Sequence, residues 1–248
     1  MPTSKDEFIV VSVDNDGVRI HALDNGRVDA ALPAVVVVPG MGEYAGEYTW
    51  LLDALGDRRV VIIDVRGRGR SDVPESGYRW EDHIGDLRAV IDSVGIERPI
   101  MVAFSRGSSY ALGYALTFPD DLRGLVIGDY FARHVGLPVD FAEQQLASKI
   151  RGVPIAERMS EHAVRQVFAE SREVPLWDRL TEIGCPVLVI RGGRKSALVG
   201  DELAAQWQAS LPTVEFALLP DAGHDLWSRD IDAYLAVLLP FVARVSSE

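Results

Sequence analysis

The sequence is poor in cysteine, in positive charge and in long apolar runs. Cys185 is the single cysteine among 248 residues, which excludes an internal disulfide framework and a cysteine-based metal cluster. Lys and Arg number 25 against 37 Asp and Glu, a net charge of −12, and this balance argues against nucleic acid or an anionic membrane as a partner. No apolar run approaches the length of roughly 18 residues that a membrane span needs, and the N-terminus lacks a signal pattern. We therefore expect a cytoplasmic protein that acts on a neutral small molecule.

Short apolar segments alternate with helical patterns along most of the chain. Residues 8–13 and 18–23 flank the turn signal Asn15-Asp16-Gly17 and predict an antiparallel hairpin. The later segments are nearly unbroken apolar runs, which is typical of parallel strands covered on both faces. Those predicted as strands are 34–38, 60–63, 100–104, 125–127, 187–190 and 216–219, and those predicted as helices are 44–55, 80–94, 108–118, 201–210 and 227–245. This order predicts an α/β fold with a doubly wound, mostly parallel sheet and an N-terminal antiparallel hairpin.

The alternation breaks once, between residues 130 and 184. This stretch has helical patterns at 141–150 and 160–171 but no strand-like run. An insertion that follows a strand of a parallel sheet lies over the carboxyl edge, where open α/β sheets bind ligands. We interpret residues 130–184 as a helical lid, with a helical excursion that covers nothing as the alternative. Residues 1–129 and 185–248 then form the core domain.

A serine between small residues marks the junction of one predicted strand and helix. Residues 103–107 read Ala-Phe-Ser-Arg-Gly, so small residues stand two positions before and two positions after Ser105. A sharp strand-to-helix turn needs small residues there, because bulky side chains would collide. The pattern favours Ser105 as a nucleophile. The alternative is a serine that only caps a buried helix.

Polar residues at two other strand ends suit the roles of base and acid. His224 follows the last predicted strand behind small residues, and an imidazole with a pKa of about 6.5 can take a serine proton at neutral pH. Asp129 follows the apolar run at 124–128, and a carboxylate there can fix the tautomer of the base. The strand at 187–190 has no acid after it until Asp201, which is the second candidate. The alternative for Asp129 is a cap of the first helix of the insertion.

Glycines after the first parallel strand permit two interpretations. The backbone N–H groups of Met41 and Arg106 can together form a two-donor oxyanion hole. Residues 40–45 also fit the dinucleotide pattern G-x-G-x-x-A, with Asp64 at the right distance for a ribose contact. That spacing keeps a nucleotide-dependent oxidoreductase open as an alternative. The preceding hairpin, Pro39 and the polar residues at the other strand ends weigh against it.

These motifs resemble those of the α/β-hydrolase superfamily over nearly the whole chain. The resemblance rests on the loop at 39–42, the turn at 64–72, the elbow at 103–107 and the terminal Gly223-His224, with nucleophile, acid and base in the family's order. The chain departs from the usual pattern at two places. Pro39 stands where the family usually has histidine, and the acid lies one strand earlier than usual, as it does in some members. The resemblance implies that the acids and arginines of the 64–72 turn are structural.

The resemblance implies a serine hydrolase that cleaves an ester-like bond, a carboxylic ester or a lactone, of a small molecule. Ser105 would attack the carbonyl, His224 would accept its proton, and Asp129 would stabilise the imidazolium of an acyl-enzyme mechanism. No metal and no organic cofactor are implied. A carbon–carbon bond hydrolase with the same triad and a non-catalytic ligand-binding protein on this fold are the alternatives. Serine in place of aspartate at position 105 disfavours haloalkane dehalogenase and epoxide hydrolase activity.

The insertion carries the candidates for substrate recognition. Six apolar residues are candidates to line a partly apolar pocket, although most of them are expected to pack the lid against the sheet: Tyr130, Phe131, Leu137, Phe141, Ile150 and Trp177. Arg133, Arg151 and Arg172 are candidates for contact with a substrate carboxylate. The sequence indicates neither the substrate nor the oligomeric state.

Overall fold

The computed structural model describes residues 8–29 and 31–247 as a layered α/β fold. The strands are β1 (Ile9–Asn15), β2 (Val18–Asp24), β3 (Val35–Val38), β4 (Val60–Asp64), β5 (Ile100–Phe104), β6 (Gly124–Gly128), β7 (Arg133–His134), β8 (Lys149–Ile150), β9 (Val153–Pro154), β10 (Val174–Pro175), β11 (Val187–Gly192) and β12 (Glu215–Leu219). The α-helices are α1 (Trp50–Ala54), α2 (Trp80–Ser93), α3 (Arg106–Thr117), α4 (Ala142–Leu146), α5 (Glu161–Glu170), α6 (Asp201–Ser210) and α7 (Ile231–Ser246). Stretches of 3₁₀-helix lie at Ala45–Tyr48, Val139–Phe141, Ile155–Glu157 and Trp177–Glu182.

One sheet of eight strands has the order β1-β2-β4-β3-β5-β6-β11-β12. β1 pairs antiparallel with β2 and β2 antiparallel with β4, whereas every pair from β4 to β12 is parallel. The predicted mostly parallel sheet with an antiparallel hairpin is therefore confirmed. The chain runs from β3 to β4 on one side and then to β5 on the other. The carboxyl ends of β3 and β5 thus form the switch point where such sheets bind ligands.

Helices cover both faces of this sheet. All residues of β3, β5 and β6 are buried, which explains why these strands read as unbroken apolar runs. Leu87 of α2 and Leu112 of α3 pack on one face, and Leu51 of α1 and Leu238 of α7 on the other. Within the described part of the chain, no helix has both the length and the apolar character needed to cross a bilayer.

Two predicted helices are shorter than their patterns. The stretch at 44–55 divides into the 3₁₀-helix Ala45–Tyr48 and the short α1. α7 begins only at Ile231, because the Asp230 side chain accepts a hydrogen bond from the N–H of Ala233 at 2.9 Å and caps the helix. Residues 227–230 are consequently a loop that follows His224.

The insertion (residues 130–184) differs most from its sequence interpretation. The predicted helix at 141–150 ends at Leu146, and the chain then forms the β8–β9 hairpin. Arg151 and Gly152 form its turn with φ angles of +49° and +81°, a conformation that a helix does not contain. β7 and β10 also pair with each other, so the insertion contains short strands that its sequence pattern does not predict.

A buried arginine ties the insertion to α3. Arg106 donates hydrogen bonds to the carbonyl of Val135 at 3.1 Å, to Nε2 of His134 at 2.8 Å and to the hydroxyl of Ser171. Since Nε2 accepts, the proton of the neutral ring is on Nδ1, which lies 2.9 Å from the Ser109 hydroxyl. Burial and the nearby charge of Arg106 lower the pKa of His134 to about 2.

We expect the free energy of unfolding to fall as the pH is lowered from about 7 to about 5. Burial keeps the pKa of both His134 and His83 below the usual value, so the folded protein leaves them neutral while the unfolded chain protonates them. The unfolded state then binds more protons below about pH 6.5, and each histidine costs about 1.4 kcal/mol per pH unit. Urea unfolding across this range measures the slope. His134→Asn should reduce the slope of the free energy of unfolding against pH.

His162 provides the matched control for this experiment, since its side chain is 38% exposed. His162→Asn should keep the pH slope of the wild-type protein. Equal slopes for the wild type and both variants would contradict the assignment of His134 as a buried neutral histidine.

Candidate active site

Ser105 lies between β5 and α3 in a strained backbone conformation. Its φ and ψ are +50° and −131°, a region that residues with a side chain seldom occupy. The Ser105 side chain makes no capping hydrogen bond to α3, so the alternative of a serine that only caps the helix is not supported. The sharp turn that the sequence predicts is present, with the hydroxyl at the carboxyl edge of the sheet.

The turn brings the first residues of α3 against the loop that follows β3. A Cβ atom on Gly107 would lie 2.3 Å from the carbonyl oxygen of Pro39, which no side chain tolerates. We therefore expect Gly107→Ala to lower the free energy of unfolding by about 2 to 4 kcal/mol, because backbone must move to relieve the clash. Urea denaturation provides the measurement.

Gly200, where an added Cβ would meet nothing within 4 Å, serves as the control for Gly107. Gly200→Ala should change the stability by no more than about 1 kcal/mol. A Gly107→Ala protein with the wild-type denaturation midpoint would show that the first turn of α3 does not contact the loop after β3.

Ser105, His224 and Asp129 form one hydrogen-bonded chain. Nε2 of His224 lies 2.9 Å from the hydroxyl oxygen of Ser105, and Nδ1 lies 2.8 Å from Oδ2 of Asp129. An ionised carboxylate only accepts, so Nδ1 carries the ring proton and Nε2 is free to accept the proton of the serine. The arrangement can activate a hydroxyl as a nucleophile.

Asp129 is fully buried directly after β6. Its carboxylate also accepts hydrogen bonds from the N–H groups of Leu198 at 2.8 Å and Val199 at 3.0 Å. It therefore joins the loop after β11 to His224 instead of capping a helix of the insertion. Asp201, the second candidate acid, has a side chain that is 93% exposed and pairs with Arg191 at 2.7 Å, with no hydrogen bond to His224.

Two backbone donors lie beside the serine. The N–H groups of Met41 and Arg106 have no acceptor among residues 8–29 and 31–247. A Cβ on Gly40 would lie 3.2 Å from the Cβ of Ser105, so the loop after β3 packs directly against the hydroxyl-bearing residue. Unoccupied N–H groups in this position can donate to a developing oxyanion.

Glu43 is a buried residue of this site that the sequence analysis did not single out. Its carboxylate accepts from the N–H of Gly40 at 2.8 Å, from the hydroxyl of Tyr48, and from Arg151 at 2.6 Å. Burial raises the pKa of Glu43, and the charge of Arg151 opposes that shift. By holding the N–H of Gly40, Glu43 fixes the Pro39–Gly40 peptide at the start of the loop that carries Met41. Arg151 is 108 positions away in the sequence, so no local pattern announces the pair.

A cavity of about 610 Å³ opens at Ser105 and His224. Met41, Phe104 and Ile150 contribute apolar surface to its wall. The ring of Phe104 also stacks on that of His224, with 5.0 Å between the ring centroids. The size suits a small organic molecule.

Most of the candidate apolar residues of the insertion pack away from the cavity, as the sequence analysis expects of most of them. Ile150 lines the cavity, whereas Tyr130, Phe131 and Trp177 pack in the core on the α6 side. The ring of Trp177 lies 5.6 Å from that of Trp207. Leu137 packs within the insertion and Phe141 is 54% exposed. An apolar pattern does not distinguish a side chain that packs the insertion on the core from one that faces a ligand.

Among the three arginines proposed for a substrate carboxylate, Arg151 alone lines the cavity. Arg133 pairs with Glu173, and Arg172 donates to backbone carbonyls of its own segment. Arg133 and Arg172 therefore do not contribute to the wall of this cavity.

The turn after β4 is held by internal contacts, as the sequence resemblance implies. The carboxylate of Asp64 is buried and is bound by His21 at 2.7 Å and by the N–H groups of Ala45 at 2.6 Å and Arg70 at 2.9 Å. No oxygen of Asp64 is left for a ribose, so the dinucleotide interpretation lacks its acidic contact. Arg66 forms a bidentate pair with Asp86, with both distances 2.6 Å. Within residues 8–29 and 31–247, no three His, Cys, Asp or Glu side chains are grouped as metal ligands.

Comparison with known proteins gives a consistent family likeness. A family model described as alpha/beta hydrolase fold matches residues 33–147. A putative 2-succinyl-6-hydroxy-2,4-cyclohexadiene-1-carboxylate synthase of Bacillus subtilis is 25% identical over 251 residues, which cover 85% of this chain and 89% of that protein. A 2-hydroxy-6-oxononadienedioate/2-hydroxy-6-oxononatrienedioate hydrolase of Paraburkholderia phymatum is 24% identical over 285 residues, or 98% and 96% of the two chains. The solved structure of an esterase from Exiguobacterium antarcticum superposes with a TM-score of 0.79 at 20% identity, over 95% of this chain and 100% of that one.

Proposed function

The chain belongs to the α/β-hydrolase superfamily, and from this premise we propose that it is a serine hydrolase of small-molecule esters or lactones. The observation that carries the proposal is the hydrogen-bonded chain from Ser105 through His224 to Asp129, with distances of 2.9 and 2.8 Å. It opens on a cavity that suits a small substrate. A hydroxyl, a base and an acid that orients the base are the parts that acyl transfer requires.

The first half of the proposed reaction forms an acyl-enzyme. The hydroxyl oxygen of Ser105 attacks the ester carbonyl while Nε2 of His224 takes its proton. Asp129 stabilises the imidazolium that results. The N–H groups of Met41 and Arg106 donate to the oxyanion of the tetrahedral intermediate, each worth about 3 kcal/mol in comparable sites.

The second half releases the acid. After the imidazolium of His224 has protonated the alkoxide that leaves in the first half, the neutral ring accepts a proton from a water molecule that attacks the acyl carbonyl. The second tetrahedral intermediate then collapses, and Nε2–H of His224 returns the proton to the Ser105 oxygen as the acid leaves. Every group in this sequence belongs to the chain or to the substrate and water.

The insertion at 130–184 is proposed to be a cap over this cavity, with residues 1–129 and 185–248 as the core domain. Its support is the β8–β9 hairpin, because Lys149, Ile150 and Arg151 contribute to the cavity wall. Arg151 also pairs with Glu43 of the core at 2.6 Å. The hairpin therefore contacts the same cavity as the proposed nucleophile.

Covalent labelling tests the proposed nucleophile. A fluorophosphonate probe should add once to the wild-type protein, as measured by intact mass, and should not add to Ser105→Ala. Ser196 also lines the cavity, so Ser196→Ala is the matched control and should label like the wild type. Labelling that survives Ser105→Ala would overturn the assignment.

A carbon–carbon bond hydrolase is the second candidate. The whole-length likeness to the nonadienedioate hydrolase favours it, and the same triad serves both reactions. A panel of esters, lactones and a 2-hydroxy-6-oxo-dienoate distinguishes the two. Turnover of the dienoate without turnover of any ester or lactone would replace the first proposal with the second.

A further inference from the structure

The cavity carries positive charge in a protein that is acidic overall. Acidic residues outnumber basic residues by 37 to 25 in the whole chain. The cavity wall has the opposite balance, with the four basic side chains of Lys149, Arg151, Arg194 and Arg229 against the two acidic ones of Glu43 and Asp225. The net charge of the chain therefore does not describe the surface that a substrate meets.

Arg151 forms ion pairs with both acidic side chains of the cavity wall. It pairs with Glu43 at 2.6 Å and with Asp225 at 2.7 Å. Its guanidinium also lies over the ring of Trp227, 5.2 Å from the centroid. These contacts hold Arg151 in place, and its single charge offsets one of the two carboxylates, so the four basic and two acidic side chains leave the cavity wall with a net charge of +2.

The remaining three basic residues keep their charges available for a ligand. Among the residues that the structure describes, no carboxylate forms an ion pair with Lys149 or Arg229. Arg194 has Asp221 at 4.0 Å, but the Asp221 side chain is 93% exposed, and a pair of this kind contributes little. A concave site with unpaired cations attracts anions more strongly than the open surface does.

The three residues reach the cavity from separate elements. Lys149 lies on β8 of the insertion, Arg194 in the loop after β11, and Arg229 in the loop between His224 and α7. The apolar surface of Met41 and Phe104 lies next to Ser105 instead. The cavity wall thus combines apolar surface with cations from three segments, and an occupant with an uncharged reactive end and an anionic end matches that combination.

We infer that the substrate carries a carboxylate, bound by Lys149, Arg194 and Arg229, while its ester carbonyl lies at Ser105. The ester part of this inference rests on the proposed function, whereas the carboxylate part rests on the charges of the cavity. It replaces the neutral substrate expected from the net charge.

Matched esters test the inference by kinetics. Monomethyl glutarate and dimethyl glutarate differ in one carboxylate, and the wild-type protein should hydrolyse the monoester with a kcat/KM about tenfold higher. Arg194→Gln and Arg229→Gln should each lower the ratio of the two kcat/KM values. Lys195 is exposed and does not line the cavity, so Lys195→Gln should keep the wild-type ratio. A wild-type preference for the diester would overturn the inference.

Binding to Ser105→Ala tests the carboxylate site without any turnover. Calorimetric titration with the dicarboxylates from malonate to adipate should show binding by at least one of them at constant ionic strength. The triple variant Lys149→Gln, Arg194→Gln, Arg229→Gln should lose that binding. Inorganic phosphate should bind more weakly than the best dicarboxylate.

The outcomes separate the two proposals. Dicarboxylate binding that the triple variant loses supports the inference even if Ser105 is never labelled and the proposed function fails. Labelling of Ser105 without binding of any dicarboxylate overturns the inference and leaves the proposed function standing. Binding that the triple variant retains, or that phosphate equals, overturns it as well.

Discussion

Asp129→Asn is expected to lower kcat for ester hydrolysis by about 10⁴-fold, the size of effect known for the corresponding change in a serine protease. The carboxylate accepts the proton of His224 Nδ1 at 2.8 Å. An asparagine amide placed there can donate instead, which favours the tautomer with the proton on Nε2. That ring cannot take the proton of Ser105. Steady-state kinetics on the best ester of the panel provides the measurement.

Asp201→Asn is the matched control, because the Asp201 side chain is 93% exposed and pairs with Arg191. It should keep the wild-type kcat. Asp129 also holds the N–H groups of Leu198 and Val199, so thermal unfolding of both variants separates a chemical effect from a loss of structure. Turnover that survives Asp129→Asn and disappears in Asp201→Asn would show that the acid of the triad is Asp201, which follows β11.

Asp64→Ala is expected to lower the free energy of unfolding by about 3 to 5 kcal/mol. Its carboxylate is 2% exposed and is bound by His21 and by the N–H groups of Ala45 and Arg70. Alanine would leave all three donors without an acceptor in the interior. Chemical denaturation, with the midpoint and slope fitted together, measures the loss.

Asp72 lies in the same turn and gives the comparison. It pairs with Arg19 at 2.7 Å, but the two side chains are 62% and 36% exposed. Asp72→Ala should therefore cost less than about 1 kcal/mol. Equal losses for the two variants would contradict the view that Asp64 acts through its buried hydrogen bonds.

The centre of the sheet could be predicted from the sequence because its parallel strands are buried on both faces. The runs that form β3 and β5 contain no polar residue, so their parallel packing is visible without any knowledge of their partners. Ser105, His224 and Asp129 could be found for a related reason. Each follows such a run directly or within a short loop, and the carboxyl ends of parallel strands lie on one edge of the sheet.

The insertion could not be predicted to the same degree. Its residues 141–150 have a helical pattern, yet the chain turns at Arg151 and Gly152 and forms a hairpin. Trp177 packs on Trp207 of α6, a contact that depends on how the insertion lies on the core. Local periodicity contains no information on that placement.

The positive charge of the cavity could not be predicted from the sequence for a different reason. Net charge is a sum over the whole surface, whereas a substrate meets only the side chains that line the site. Lys149, Arg194 and Arg229 come from three separate segments, so the sequence does not show that they line one cavity. The pairing of Glu43 with Arg151 also requires the folded chain.

Because Asp129 follows β6, the loop after β11 carries none of the three residues of the proposed triad. Its two ends are nevertheless fixed, since the N–H of Arg194 donates to the carbonyl of Ala222 at 3.0 Å and Asp129 holds Leu198 and Val199. The side chains of Arg194 and Ser196 can therefore be substituted, because backbone hydrogen bonds hold the loop at residue 194 and at residues 198 and 199. Selectivity in this scaffold is open to redesign, or to evolutionary drift, through a short surface segment that leaves the reacting groups where they are.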